Sequence, residues 1–441
     1  MRGKRLRRII RPFQEFFARE ASGGVILIVA AVAALIVANS PLGPAYFGWK
    51  EALVTLSLGD WVFQKDVIHV VNDGLMALFF FVVGLEIKRE LLVGELSTWR
   101  KSSVPVFAAI GGMTVPALLY VGFTQGTRYT NGWGVPTATD IAFALGVLGL
   151  LGSKVPVTAR IFLAALAIMD DIGAVLLIAL FYSKGIQVDM LAYGGVVVLV
   201  MLGLNAIGIR RMTPYAVCAV ILWALIFKSG LHPTIAGVLA AFTIPAKARI
   251  NVPEFLSRVQ ELVQAFRDSP SAESDEGVLT EDQQACVEEL EKTTEGIGTP
   301  LQTLLHVLHP WVAFCIVPVF AFFNAGVVIG GGDVAMPVAA GVAAGLVFGK
   351  PIGILLFVWI AIKLKLGELP RGLGWIHVSG LGLLAGIGFT MSLFIAGLAF
   401  KGGDGIESAK LGVLAASTLA ALLGAGLLLG ARSAKRSRHS T

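Results

Sequence analysis

About twelve apolar runs, each near the length of a bilayer-spanning helix, follow one another along this 441-residue chain. They fall near residues 22–39, 66–86, 103–123, 133–152, 159–183, 190–209, 213–228, 232–245, 309–330, 336–364, 376–400 and 408–431. With 56% hydrophobic and 15% charged residues and a mean hydropathy of +0.79, the chain is too apolar for an ordinary soluble surface. Within lipid, backbone polar groups must be satisfied inside the segment, which leaves helices or closed barrels, and these runs have helical length. The expected fold is an all-α polytopic membrane protein.

The fifth run holds two adjacent carboxylates, Asp170 and Asp171, between Arg160 and Lys184 at its ends. A charge at bilayer depth costs at least ~2.5–3.5 kcal/mol, so an intramembrane acid marks a functional site by default. Consecutive residues on a helix point about 100° apart, so the two acids need different partners. Lys350 lies midway along the tenth run, too deep to snorkel, and its expected partner is a buried carboxylate. The string Gly345 to Pro351 around it lacks phosphate-loop spacing, which excludes nucleotide binding there.

Two runs carry helix interruptions. In the fourth, Pro136 removes a backbone donor, and Thr137 and Thr139 can bond the groups it frees before Asp140. In the eleventh, Gly386 and Gly388 permit a break. Runs three to five and ten to twelve form oppositely oriented triplets with the broken helix in the middle of each. That pattern predicts inverted repeats with two interrupted, crossing helices and an ion site near the midplane. Buried carboxylates there can exchange a proton for a metal cation, and hard oxygen ligands suit an alkali ion.

Basic residues gather on alternate loops: Arg2 to Arg11, Lys88 and Arg89, Arg100 and Lys101, Lys154 and Arg160, Arg210 and Arg211, Lys363 to Arg371, and Arg432 to Arg438. By the positive-inside rule both termini are cytoplasmic, and the net charge of +6 reflects topology, not nucleic-acid binding. The expected organisation is a basic cytoplasmic segment (1–21), eight helices (22–245), an acidic cytoplasmic linker (246–305), four helices (306–431) and a basic tail (432–441). Residues 251–300 hold twelve acidic side chains against three basic ones, a solvated spacer with helical ends.

Further polar positions stand out. Asp73 and Glu86 lie near opposite ends of the second run, and Glu86, Arg89 and Glu90 share a helical face, an interfacial cluster with a gating alternative. His232, His306 and His309 read as helix-start residues, structural or pH-responsive. Cys218, Cys286 and Cys315 have no metal-ligand spacing and read as free thiols. Between the first two runs, residues 52–64 around Gly59-Asp60 read as an extracytoplasmic β-hairpin.

The strings Ala138-Thr139-Asp140 to Gly146 and Ala165 to Met169-Asp170-Asp171-Ile172-Gly173 resemble the NhaA family of sodium/proton antiporters. So do Asn72-Asp73-Gly74, Gly84-Leu85-Glu86, Lys228 to His232, His309-Pro310-Trp311, Gly349-Lys350-Pro351 and Gly386 to Thr390, in order through nearly all the runs. Inverted repeats with broken helices are themselves illustrated by that family. The resemblance implies twelve helices in a bacterial inner membrane and a transporter, not an enzyme, with no cofactor. It implies that Asp171 and Asp170 take Na+ or Li+ and protons in turn, with Thr139 near the ion. It further implies that Lys350 pairs with Asp170, that Asp140 and Lys350 face the crossed helix ends, and that the first outer loop joins a homodimer. The chain departs from the family in its long acidic loop, where Leu305 stands in place of an acid.

The expected mechanism is alternating access, with about two protons entering per Na+ expelled. Rival readings are a sodium-coupled organic-anion symporter, an intramembrane aspartyl protease using Asp140 and Asp171, and an ion channel.

Overall fold

Long apolar segments with few charges become helices here because a helix satisfies every backbone group within the segment, as lipid requires. The computed structural model describes residues 22–437 except 59–60, 184, 249, 270–278, 331–333, 371 and 401. The basic cluster Arg2 to Arg11, Lys184, the Gly59-Asp60 turn, most of the polar stretch after Ser269, Arg371 and Arg438 therefore lie outside the described residues.

Helix α1 (Ser22–Ala38) turns by 112° into the short α2 (Gly43–Glu51). An antiparallel hairpin follows, β1 (Leu53–Leu58) paired with β2 (Trp61–Asp66) in a register that sets Leu53 against Asp66. This is the hairpin read from residues 52–64. Then come α3 (Val67–Val93), α4 (Trp99–Thr124), a 3₁₀ turn (Thr130–Thr137) leading to α5 (Ile141–Leu151), and α6 (Val157–Phe181). Helices α7 (Val188–Ala206), α8 (Met212–Ser229) and the short α9 (Thr234–Thr243) complete the first part. The second part holds α10 (Val252–Asp268), α11 (Glu281–Ile297), α12 (Pro300–Ala325), α13 (Met336–Lys363), the pair α14 (Trp375–Ala385) and α15 (Phe389–Ala399) bent by 46°, and α16 (Asp404–Ser437).

Among the described residues nine helices are long and apolar enough to span a membrane, and the two bent pairs raise the number to eleven. The eighth expected run is represented by α9 alone, only ten residues long. The linker also differs from expectation. Thr299 caps the helix starting at Pro300, so α12 begins inside the stretch assigned to the linker and carries His306 and His309 in its second and third turns, not at its start.

Among the described residues three π turns interrupt the ladder: Val70–Leu75 and Val312–Ile316, and Gly345–Gly349 immediately before Lys350. Such turns concentrate at functional positions. The crossing of α4 and α13 is set by glycine. A Cβ on Gly353 would stand 2.0 Å from the Gly111 carbonyl oxygen, so only hydrogen at that position lets the backbones approach. This contact holds α13, and hence Lys350, against the bundle interior.

Candidate functional site

The two interruptions meet. Between the 3₁₀ turn and α5 the chain is extended at Ala138 and Asp140, and between α14 and α15 it opens at 386–388. The break in the first segment thus follows Pro136 by two residues, whereas the second falls at Gly386 and Gly388 as the glycines predict. The Asp140 N–H donates to the Ile387 carbonyl at 2.7 Å, and the Thr139 hydroxyl donates to the Ala385 carbonyl at 2.8 Å. Ser392 reaches back to the Val135 carbonyl at 2.7 Å. Each break satisfies backbone groups that the other exposes.

Helix ends give this crossing its electrostatics. Helices α5 and α15 begin there, and their exposed N–H groups carry partial positive charge. Asp140 faces both. Its Oδ1 accepts from Phe143 N at 2.9 Å, and its Oδ2 accepts from Thr390 N at 3.0 Å and from the Thr390 hydroxyl. The 3₁₀ turn ends there with exposed carbonyls, and Lys350 Nζ donates to that of Thr137. The same ammonium donates to Asp170 Oδ2. Lys350, Asp170, Asp140 and Thr139 are all buried.

Asp170 and Asp171 diverge as helical geometry requires. Asp170 turns to Lys350, and its Oδ1 is buried without a hydrogen-bond partner among the described residues. Asp171, 2% exposed, lines a cavity of about 590 Å³ together with Asp140 and Thr390. The cavity runs between α3, α5, α6, α12 and α15 toward the end of α3, where Glu86, Arg89, Glu90 and Glu95 form its rim. The shared face read for Glu86, Arg89 and Glu90 is this wall. Glu90 pairs with Arg89 at 2.8 Å, and Glu86 lies 3.6 Å from His309 of α12.

His232 and Asp73 are elsewhere. His232 Nε2 stands 3.4 Å from Asp73 Oδ1, and its ring packs edge-on against Phe394 of α15. This pair does not line the cavity. His306 is exposed and is also absent from the cavity wall. Thr390 entered the sequence reading only as the last residue of the glycine motif, and Ser392 did not enter it. Their signal was hydroxyls two and four residues beyond Gly388 of the expected helix break.

No group of three or more His, Cys, Asp or Glu side chains is arranged as a resident metal centre among the described residues, and the three cysteines are free. The arrangement offers instead the Asp171 carboxylate at the inner part of an acid-lined cavity, next to Asp140, which caps the helix starts, and to the Asp170–Lys350 pair. It can hold a monovalent cation or a proton, with one displacing the other.

A family described as "Na+/H+ antiporter 1" matches residues 14–428. The chain is 46% identical over 417 residues to the Na(+)/H(+) antiporter NhaA of Oleidesulfovibrio alaskensis, covering 94% of this chain and 92% of the relative. It is 47% identical over 427 residues to Na(+)/H(+) antiporter NhaA 1 of Saccharophagus degradans, covering 96% and 92%. A similar protein from Koribacter versatilis is 46% identical, with 95% and 91% covered.

Proposed function

Because the chain belongs to the NhaA family of Na+/H+ antiporters, we propose that it exchanges Na+ or Li+ for H+ by alternating access, through Asp171 with Asp170. It is a multi-pass membrane transporter and not an enzyme. The observation that carries the site assignment is Asp171 at the buried end of the cavity, one residue from the Asp170–Lys350 pair and facing the crossed helix breaks. A cation entering the cavity meets Asp171, and a proton arriving from the other side displaces it. Thr139 lies beside the ion path.

Lys350 and Asp140 hold the crossing by opposing the partial charges of the helix ends, so that the site can rock between exposures without unpaired backbone. Two protons per Na+ would carry one net charge inward per cycle, which gains ~2.3 kcal/mol per 100 mV of membrane potential. Glu86, Arg89, Glu90 and His309 gate the passage, with Asp73 and His232 answering from outside it. Both termini face the cytoplasm of a bacterial cell, and the β1–β2 hairpin joins two copies into a homodimer.

The cavity wall favours a cation over an organic anion: Asp140, Asp171, Glu86, Glu90 and Glu95 face it against Arg89. The test is sodium-triggered dequenching of a pH dye in proteoliposomes, comparing wild type with Asp171→Asn. The expected result is a wild-type signal lost in the variant. An equal signal from both would remove Asp171 from the exchange, and a flux that does not respond to membrane voltage would overturn the charge-moving stoichiometry.

A further inference from the structure

The acidic insert is a pair of helices with an uncovered face. Helix α10 packs along α11, and Phe255, Val259, Leu262 and Phe266 recur at helical spacing and are partly buried. A second stripe, Val252, Leu256 and Val263, lies within about 40° on the helical wheel. Its members are 60%, 54% and 41% exposed, and no residue of α10 is buried. The described parts of the pair, 252–268 and 279–297, hold nine acidic and three basic side chains. Glu281, Asp282, Glu288, Glu289 and Glu291 of α11 are all exposed.

The root of this hairpin is fixed to the transport bundle. Ile250 N–H donates to the Gly296 carbonyl and Leu301 N–H to the Pro245 carbonyl, each at 3.2 Å. Lys88, two residues from each of the cavity-rim residues Glu86 and Glu90, donates to the Phe242 and Ile244 carbonyls at the end of α9 at 2.6 and 2.5 Å. From the root, α12 leads directly to His309, Val312 and Ala313 of the cavity wall.

One segment of the chain complements this face. Residues 1–21 hold seven basic side chains and two acidic ones, with Ile9, Ile10, Phe13, Phe16 and Phe17 at helical spacing. Eight apolar runs separate that segment from the hairpin, an even number, so both leave the membrane on the same side. The segment joins the described structure at Ser22, beside Gly23, whose Cβ would contact Ala313. From Ala313 back to Leu301 at the hairpin root, α12 spans about 18 Å. As a helix the segment would reach roughly 30 Å, and further if extended.

We propose that residues 1–21 dock on the α10–α11 hairpin, with the basic cluster against the exposed acids of α11 and the Ile9–Phe17 apolar positions on Val252, Leu256 and Val263. The contact ties the segment before α1 to the hairpin that precedes α12. An uncharged, apolar partner would leave the acids of α11 facing nothing, and an anionic bilayer surface would be repelled by them.

The test uses the full chain in nanodiscs, with Cys218, Cys286 and Cys315 replaced by Ser and a bimane label on Phe13→Cys. Adding Leu256→Trp places a short-range quencher on the stripe. The expected result is loss of bimane emission in zwitterionic and in anionic lipid alike. Emission should return when choline chloride shortens the Debye length, or when Glu281, Glu288, Glu289 and Glu291 become Gln. Equal emission with and without the tryptophan overturns the proposal. So does quenching indifferent to salt and to the glutamine substitutions, and so does a blue shift without quenching confined to anionic lipid, which would put the segment on the membrane. Retained Na+/H+ exchange in the labelled chain verifies its fold.

Discussion

The carboxylate of Asp140 caps two helices from opposite halves of the chain, accepting the Phe143 N–H on one oxygen and the Thr390 N–H and hydroxyl on the other. A single N-cap contributes ~1 kcal/mol, and a negative charge at a partly buried helix start up to ~2 kcal/mol. Asp140→Asn keeps an acceptor for one helix and loses the charge, whereas Asp140→Ala loses both. The expected order of thermal stability in detergent is wild type, then Asn, then Ala, with Ala lower by about 2 kcal/mol or more. Equal melting temperatures for the two variants would mean that the charge alone matters.

Lys350 and Asp170 form a pair whose members stabilise each other only together. Removing one partner of a buried pair costs about 3–5 kcal/mol, whereas replacing both by neutral groups is often close to neutral. Lys350→Met should therefore unfold far more readily than the double variant Lys350→Met with Asp170→Asn. A double variant no more stable than Lys350→Met would show that the ammonium acts mainly through the Thr137 carbonyl. Thermal melts of the three proteins in one detergent decide between these outcomes.

The meeting of the two breaks was legible because proline, glycine and threonine announce freed backbone groups, and an acid in the membrane announces a partner. Which groups pair was less so. Asp140 could be placed at an interruption from its neighbours, but its hold on Thr390 depends on how two distant segments cross. The π turn ahead of Lys350 left no periodic mark, since Gly345–Gly349 reads equally well as ordinary helix. The start of α12 was misplaced because its first turns, Pro300 to Leu308, are amphipathic and continue an acidic stretch. Hydropathy sees the boundary of the apolar run, and Thr299 with Pro300 marks the boundary of the helix. The insert was read from composition as a spacer, which hides the phase of Val252, Leu256 and Val263 on α10.

Competition at Asp171 predicts a pH dependence of affinity. If the ion binds only the deprotonated carboxylate, each proton that must leave weakens the apparent Na+ affinity by about tenfold per pH unit below the titration of the site. One competing proton gives a slope of one decade per unit, and two give a slope approaching two. Asp171→Glu keeps the charge and shifts its position, so it should raise the KM for Na+ while preserving the slope. An apparent KM independent of pH from acid to alkaline conditions would rule out competition at a shared carboxylate. Initial rates of sodium-driven proton release in proteoliposomes supply the measurement.

Glycine at the second break separates a positional requirement from a general one. A Cβ on Gly386 would stand 2.3 Å from the Leu346 carbonyl oxygen, inside the π turn that leads directly into Lys350. Backbone cannot yield as a side chain can, so Gly386→Ala should cost about 1–3 kcal/mol and displace the ammonium from its two acceptors. Gly397 lies in the same bent pair with nothing within 4 Å of its added Cβ. Gly397→Ala should be neutral or gain roughly 0.5–1 kcal/mol from helix propensity. Stability and exchange rate should both fall in the first variant and hold in the second. Equal losses in the two would mean that the bent pair is sensitive to any added methyl, and would detach Gly386 from the placement of Lys350.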